Sequence, residues 1–160
     1  MRFPSRQSAR GGVSPGHGAT SVEPAPDGGL IYRATTRDII VAVEPIYLPS
    51  ESSHENGHYM WAYRVRIENR GPDVVQLINR HWRIVDAHGH VMEVRGAGVV
   101  GVQPVLNPGE SYEYVSSTPL GTPFGVMGGE YEMTTASGEA FEIEIPTFSL
   151  HSPFARTVLN

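Results

Sequence analysis

The sequence contains no cysteine and no lysine, and all 12 of its basic residues are arginine. Without cysteine the chain has no disulfide, no thiolate nucleophile and no cysteine-based zinc site, which fits a reducing compartment, and we expect a cytoplasmic protein. No apolar run approaches the roughly 20 residues that span a bilayer, so no membrane contact is expected. The formal net charge of −5 argues against nucleic acid as a partner.

The sequence patterns of helices and strands are also missing from the beginning of the chain. Residues 1–30 are dominated by Gly, Pro, Ser and Ala, show no hydrophobic periodicity, and include no apolar stretch typical of a secretory signal. Such a segment buries too little apolar surface to offset the entropy of ordering it. We therefore predict a disordered tail at residues 1–30 and one folded domain at residues 31–160.

The folded part lacks a helical period and has instead the alternation of β-strands. From Tyr59 to Ile67, aromatic and β-branched residues alternate with Met60, Ala62, Arg64 and Arg66. A long strand is predicted for Val74–Val85, and Thr135–Gly138 has the composition of a hairpin turn. About seven short strands separated by turn signals indicate an all-β, antiparallel β-sandwich of immunoglobulin or fibronectin type III type. Trp82 is the expected core aromatic residue.

A GxGxxG motif at Gly96, Gly98 and Gly101 invites comparison with dinucleotide-binding proteins. That motif works where a strand enters a glycine turn and then a helix, whose N-terminal amides hold a pyrophosphate. Here valines and then Pro104 and Pro108 follow the glycines, and they disfavour a helix. The motif is therefore predicted to lie on a loop between strands.

A β-loop of this kind still offers a route to an anion site. In an antiparallel succession the glycine loop falls at the same end as the connection at residues 69–73, so Arg70 and Arg95 would flank Gly96–Gly101. Backbone amides and two guanidinium groups would then form a nest for a phosphate or pyrophosphate. The alternative is that these glycines serve positive φ angles and close packing between the sheets.

The segment from His54 to His58 spells HExxH, the zinc-binding pattern of metalloproteases. The pattern needs a helix to bring both histidines to one face, and the surrounding serines, Asn56 and Gly57 predict a loop instead. We therefore expect no cofactor and no zinc protease here.

A weaker metal hypothesis concerns four histidines. Strand order predicts that the loop with His54 and His58 lies at the same end as the turn with His88 and His90. Neutral imidazoles at one end would bind Co²⁺, Ni²⁺ or Zn²⁺ weakly. The alternative is that all four are ordinary solvated loop residues.

Three long stretches carry a family resemblance: YRATTRDIIVAVEPIYL from Tyr32, RHWRIVDAHG from Arg80, and GAGVVGVQPVLNPGESYEYVSSTPLGTPFGVMGGEY from Gly96. With them, Ile31–Asn160 resembles the ApaG family, also called CorD. The resemblance implies a fibronectin type III-like sandwich and a bacterial protein linked to cobalt resistance and magnesium efflux. Related domains in F-box proteins and in a polymerase-interacting protein imply protein–protein recognition.

The functional expectation is a non-enzymatic binding module with an unidentified protein partner. No GxSxG nucleophile elbow is present, and the glutamates alternate along strands as on a solvated surface. A phosphate-containing small molecule at Gly96–Gly101 is the second hypothesis, and a hydrolase acting on such a ligand is a third that lacks an identifiable acid or base. A sandwich edge strand can also pair two copies, so a homodimer is a further alternative.

Overall fold

The computed structural model describes residues 20–155 and contains ten strands. A short 3₁₀ helix, Pro49–Glu51, lies between the third and fourth strands. The strands are β1 (Thr20–Pro24), β2 (Leu30–Thr36), β3 (Ile39–Tyr47), β4 (Tyr59–Asn69), β5 (Val75–Asp86), β6 (Val91–Ala97), β7 (Val105–Leu106), β8 (Ser111–Leu120), β9 (Phe124–Thr135) and β10 (Ala140–His151).

The strands form two antiparallel sheets. The first has the order β1-β2-β3-β4-β8 and the second the order β10-β9-β5-β6, with β7 paired to the beginning of β5. Along the central strands, alternate residues point into the space between the sheets, and apolar side chains fill that space. The all-β sandwich predicted from the sequence is confirmed. Within residues 20–155, no helix is long and apolar enough to cross a bilayer.

The core is built around aromatic side chains from both sheets. Trp82 of β5 is 2% exposed, and its ring centroid lies 5.2 Å from that of Tyr63 on β4. Its ring also meets Tyr131 and Phe148 edge-on at 6.3 and 6.1 Å, the tilted geometry that aromatic pairs prefer. The prediction of Trp82 as the core aromatic residue is confirmed.

Ordered structure begins earlier than the sequence predicts. Part of the segment at residues 1–30 forms β1, which pairs with β2 in register from Thr20–Ala34 to Pro24–Leu30. Every side chain of β1 is exposed, so the strand is held by backbone hydrogen bonds and leaves no hydrophobic period to detect. The prediction of disorder is therefore wrong for residues 20–30, and residues 1–19 lie outside the described residues.

The two long sides of the sandwich differ. On one side β10 packs against β2 and β3 of the facing sheet. On the other side β6 is the edge strand of its sheet, and nearly all of its residues are exposed. The glycine motif begins with Gly96 near the end of β6, so this open side positions the first candidate site.

Candidate functional site

The GxGxxG segment is a tight two-residue hairpin. Val99 and Val102 exchange both backbone hydrogen bonds, at 2.8 and 3.0 Å. Between them Val100 and Gly101 have φ angles of 48° and 76°, the positive pair of a type I′ turn, and Gly98 before them is at 63°. The predicted loop between strands is confirmed.

Most amides of this turn already have protein partners. The N–H of Gly98 donates to the carbonyl of Ile78 at 2.8 Å, and the N–H groups of Val99 and Val102 each donate to the carbonyl of the other residue. A nest needs several unpaired N–H groups aimed at one point. A Cβ on Gly98 would clash with the Val102 carbonyl, so this glycine is required by close backbone approach.

The cation at the turn is Arg80, a residue that the sequence analysis did not assign to it. Its Nη1 donates to the carbonyls of Ala97 and Gly98, both at 3.0 Å. The guanidinium lies over Gly96, where a Cβ would come within 2.8 Å of Nη1. Arg80 therefore fastens the turn to β5. The sequence around Arg80 gives no local signal of this role, because the pairing of Arg80 with Gly96 depends on the register between β5 and β6.

Arg95 and Gly96 line a cleft of about 340 Å³, whereas Arg70 is elsewhere. The Arg70 guanidinium pairs with Glu68 at 3.1 Å. The cleft also contains carboxylates of β9 and β10, which repel an anion. Its described lining is Asn79, Arg80, His81, Arg95, Gly96, Ala97, Glu130, Glu132 and Glu142.

His81, at the floor of this cleft, belongs to a chain of charged groups. Its Nε2 lies 3.2 Å from Glu93, and its Nδ1 is hydrogen-bonded to Glu130. Arg83 completes the chain by donating from Nη2 to Glu130 at 2.9 Å. Both imidazole nitrogens are engaged by carboxylates, so the ring has no free nitrogen with which to act on a molecule in the cleft.

The charges in this chain set the pKa of Glu130. Burial works to raise that pKa, but hydrogen bonds from Arg83 and His81 outweigh it and hold the pKa below its ordinary value. The same hydrogen bond raises the pKa of Arg83. The lowered pKa of Glu130 and the raised pKa of Arg83 are the shifts expected of an ion pair that stabilises the folded state.

The opposite end of the sandwich carries the HExxH segment, which is a turn. Ser53 and His58 close it with backbone hydrogen bonds of 2.7 and 2.9 Å, which confirms the predicted loop. The Nδ1 atom of His54 is hydrogen-bonded to the Tyr59 hydroxyl at 2.6 Å. The His54 ring stacks on the Phe154 ring, with 4.2 Å between the ring centroids. His54 and His58 are therefore not on one helix face.

The four loop histidines do lie at one end but do not converge. His58 and His90 line one shallow cavity, while His54 lines a different groove. His90 pairs with Asp86 at 3.3 Å, and its ring centroid is 6.1 Å from that of His88. Within residues 20–155, no three His, Cys, Asp or Glu side chains assemble as a metal site.

An aromatic groove of about 510 Å³, which is not among the sites predicted from the sequence, lies at this end. Phe124 and Phe154 are 37% and 45% exposed, unlike the buried rings of the core. The only sequence signal was a Pro-Phe pair after a hydroxyl residue, at residues 122–124 and again at 152–154. The described lining is His54, Ala87, Pro123, Phe124, His151, Phe154 and Ala155.

Hydrogen bonds hold the groove in shape. Thr122 donates from its hydroxyl to the Phe124 carbonyl at 2.7 Å and accepts from the Ala87 N–H at 3.0 Å. The N–H of Ser152 donates to the Pro123 carbonyl at 3.0 Å. Hydrogen bonds therefore tie both Pro-Phe turns together and fix the shape of the groove.

The fold and these surfaces define a small antiparallel β-sandwich of the immunoglobulin and fibronectin type III kind, with a charged cleft beside one edge strand and an aromatic groove among its loops. A family model described as the ApaG domain matches residues 49–135. The chain belongs to the ApaG family.

Individual relatives agree with this assignment. Protein ApaG of Parvibaculum lavamentivorans is 57% identical over 130 residues, covering 81% of this chain and 100% of the relative. Protein ApaG of Paramagnetospirillum magneticum is 58% identical over the same shares. A solved structure from Bordetella pertussis, described as an ApaA protein, is 47% identical with a TM-score of 0.71, covering 74% of this chain and 96% of that one.

Proposed function

We propose that this ApaG-family chain is a non-enzymatic protein-binding module whose aromatic groove receives an apolar side chain of a protein partner. The observation that carries the proposal is the pair of exposed rings, Phe124 and Phe154, in a groove of about 510 Å³. Exposed aromatic residues that line a preformed groove are typical of the central residues of protein interfaces.

The groove suits an apolar anchor flanked by polar groups. Its lining is aromatic and aliphatic apart from the polar rings of His54 and His151. Because the Thr122 and Ser152 hydrogen bonds already fix both turns, little ordering is required on binding, and less affinity is lost to entropy.

The test starts with photocross-linking in bacterial cells that express the full chain. A photoreactive phenylalanine analogue at Phe154 is expected to give a discrete adduct, and the same analogue at exposed Val115 on β8 is the control. The partner protein found in the adduct is then purified separately, and its affinity for this chain is measured by calorimetry. We expect at least a tenfold loss for Phe154→Ser and no change for Val115→Ser.

Two results would reject this proposal. One is the absence of an adduct from both Phe124 and Phe154 at expression levels that match the control. The other is an adduct whose purified protein binds wild type and Phe154→Ser equally well.

The proposal of a non-enzymatic role is supported by the charged cleft. His81 has both nitrogens engaged by carboxylates, and the described lining contains no serine, threonine or lysine that would act as a nucleophile. We retain a place in divalent-cation homeostasis, and a cytoplasmic setting, as proposals that rest on the family resemblance and on the cysteine-free composition.

A second candidate is a pyrophosphate-containing ligand at Gly96–Gly101. It is favoured by Arg95, which has no ion-pair partner among residues 20–155 and lies beside Gly96 at the cleft. It ranks second because the turn amides and Arg80 are already occupied. Amide NMR titration with ATP and diadenosine tetraphosphate, with and without Mg²⁺, would show saturable shifts at Gly96–Gly101 that Arg95→Ala abolishes. Silent loop amides would remove this candidate.

A further inference from the structure

The edge strand β6 presents free backbone groups to solvent. Two backbone hydrogen bonds mark the two ends of its pairing with β5. The N–H of Asp86 donates to the carbonyl of His90, and the N–H of Gly98 donates to the carbonyl of Ile78. The register between them is uninterrupted, so the even-numbered residues of β6 bond to β5 and the odd-numbered ones turn their N–H and C=O outwards. The residues with outward backbone groups at the centre of the strand are Val91, Glu93 and Arg95.

The side chains of β6 give the edge only part of the usual protection. Val91, Met92 and Val94 are 60%, 43% and 36% exposed, and the strand contains no proline, lysine or bulge. Natural edges that stay unpaired are usually blunted by such residues, by a bulge or by charged side chains, and the charged side chains of β6, Glu93 and Arg95, are of opposite sign. The exposed strand is therefore suited to pairing with another strand.

The charges of β6 determine which strand fits. Glu93 and Arg95 project from the same face, on either side of Val94. In an antiparallel pair of two β6 strands centred on Val94, each Glu93 lies opposite the partner subunit's Arg95. This register also joins outward backbone groups to outward backbone groups. A shift that centres the pair on Glu93 or on Arg95 would place like charges opposite each other, which is destabilising.

We propose that β6 pairs antiparallel with β6 of a second copy of this chain, in the register centred on Val94. The β6-containing sheets of the two copies then form one continuous sheet with the order β10-β9-β5-β6-β6-β5-β9-β10. The pairing gives Arg95 the carboxylate partner that it lacks among the described residues of its own chain, and it covers Val94 with the partner subunit's Val94. It also brings the charged clefts of the two copies to one continuous surface.

The inference uses a different surface from the aromatic groove, so either proposal can fail alone. The full chain is examined by sedimentation velocity over a concentration series. Wild type is expected to dimerise reversibly, and E93R and R95E each to weaken the dimer at least tenfold, because both cross-strand pairs become repulsive. R66E and E113R, which make the same charge changes on exposed residues of β4 and β8, are the matched controls and should dimerise like wild type.

Mixing the two charge variants is the decisive step. E93R carries two arginines and R95E two glutamates at these positions, so an equimolar mixture should form a heterodimer with wild-type affinity. The double variant E93R/R95E should dimerise again by itself. Because recovery in the mixture requires both chains to be folded, misfolding cannot imitate it.

Three results would overturn the proposal. The first is a wild-type chain that stays monomeric throughout the concentration series. The second is a dimer that R66E or E113R weakens as much as E93R does. The third is a mixture of E93R and R95E that remains as monomeric as its components.

Discussion

Val100 is the β-branched residue among residues 20–155 whose backbone has a positive φ angle. Its φ of 48° belongs to the left-handed region, where a β-branched side chain is rare and costs roughly 1–2 kcal/mol. The position is 62% exposed, so no packing offsets this cost. Asparagine tolerates this conformation, and Val100→Asn is expected to raise the free energy of unfolding by about 1 kcal/mol. Urea denaturation of both proteins checks this, and a lower midpoint for the variant would contradict it.

Individual residues also show what the sequence could predict about the candidate site. Gly98 and Gly101 were placed on a loop because the valines and prolines around them disfavour a helix, and that is confirmed. The occupied amides could not be predicted, because the partner of Gly98 is the carbonyl of Ile78, which lies on another strand. Likewise, nothing local to Arg80 indicates that it reaches Ala97 and Gly98.

At the scale of elements, the connection from β4 to β5 depends on one buried side chain. Asn69 is 1% exposed; its Nδ2 donates to the carbonyls of Asp73 and Leu106 at 2.8 and 3.0 Å, and its Oδ1 accepts from the Gly71 N–H at 3.0 Å. It therefore joins the turn to β7. Asn69→Ala leaves these backbone groups without partners and should cost about 3 kcal/mol of unfolding free energy.

The control for this prediction is an asparagine nearby on the surface. Asn107 makes an exposed hydrogen bond to Glu110 at 2.6 Å, and Asn107→Ala should cost less than about 1 kcal/mol. Chemical denaturation measures both. Equal losses in the two variants would show that the buried network is not what holds β7 to the turn.

The elements themselves were predictable to different degrees. Strand β4 was evident because large apolar residues recur at every second position from Tyr59 to Ile67, with Arg64, Arg66 and Glu68 among the residues between and after them. Strand β1 was missed because all of its side chains are exposed and only β2 gives its backbone partners. The two-residue β7 is too short for any periodic signal.

At the scale of the whole molecule, acid should weaken the fold through Glu130. Its pKa is lowered in the folded state, against burial, by Arg83 and His81, so its stabilising effect is present above the unfolded value of about 4.5 and is lost as the pH falls through the folded value. The free energy of unfolding should decrease from pH 6 to pH 3, and Glu130→Gln should reduce that decrease. Arg83→Met should have the same effect because it removes the partner. A slope identical to wild type in both variants would contradict the assignment.

Alkali should weaken the fold through buried tyrosines. Burial raises the pKa of Tyr63, Tyr114 and Tyr131 above the ordinary value of 10.0. A pKa raised in the folded state means that stability is fully present below pH 10 and is lost as the pH rises beyond it. The phenolate absorbance of these three tyrosines should therefore appear above pH 10 and together with the loss of circular dichroism. Complete phenolate absorbance with the native circular dichroism retained would contradict this prediction.

The sequence by itself determined the sandwich class, the core position of Trp82, the turns at the glycine and HExxH segments, and the family. These depend on local alternation, on backbone preferences of Gly, Pro and Val, and on long ordered motifs. Only the tertiary structure decided that Arg80 occupies the glycine turn, that Arg95 lines the same cleft as glutamates of β9 and β10, that Phe124 and Phe154 share one groove, and that β6 is an open edge. Each of these brings together residues from strands or turns distant in the chain, and strand pairing and register place them.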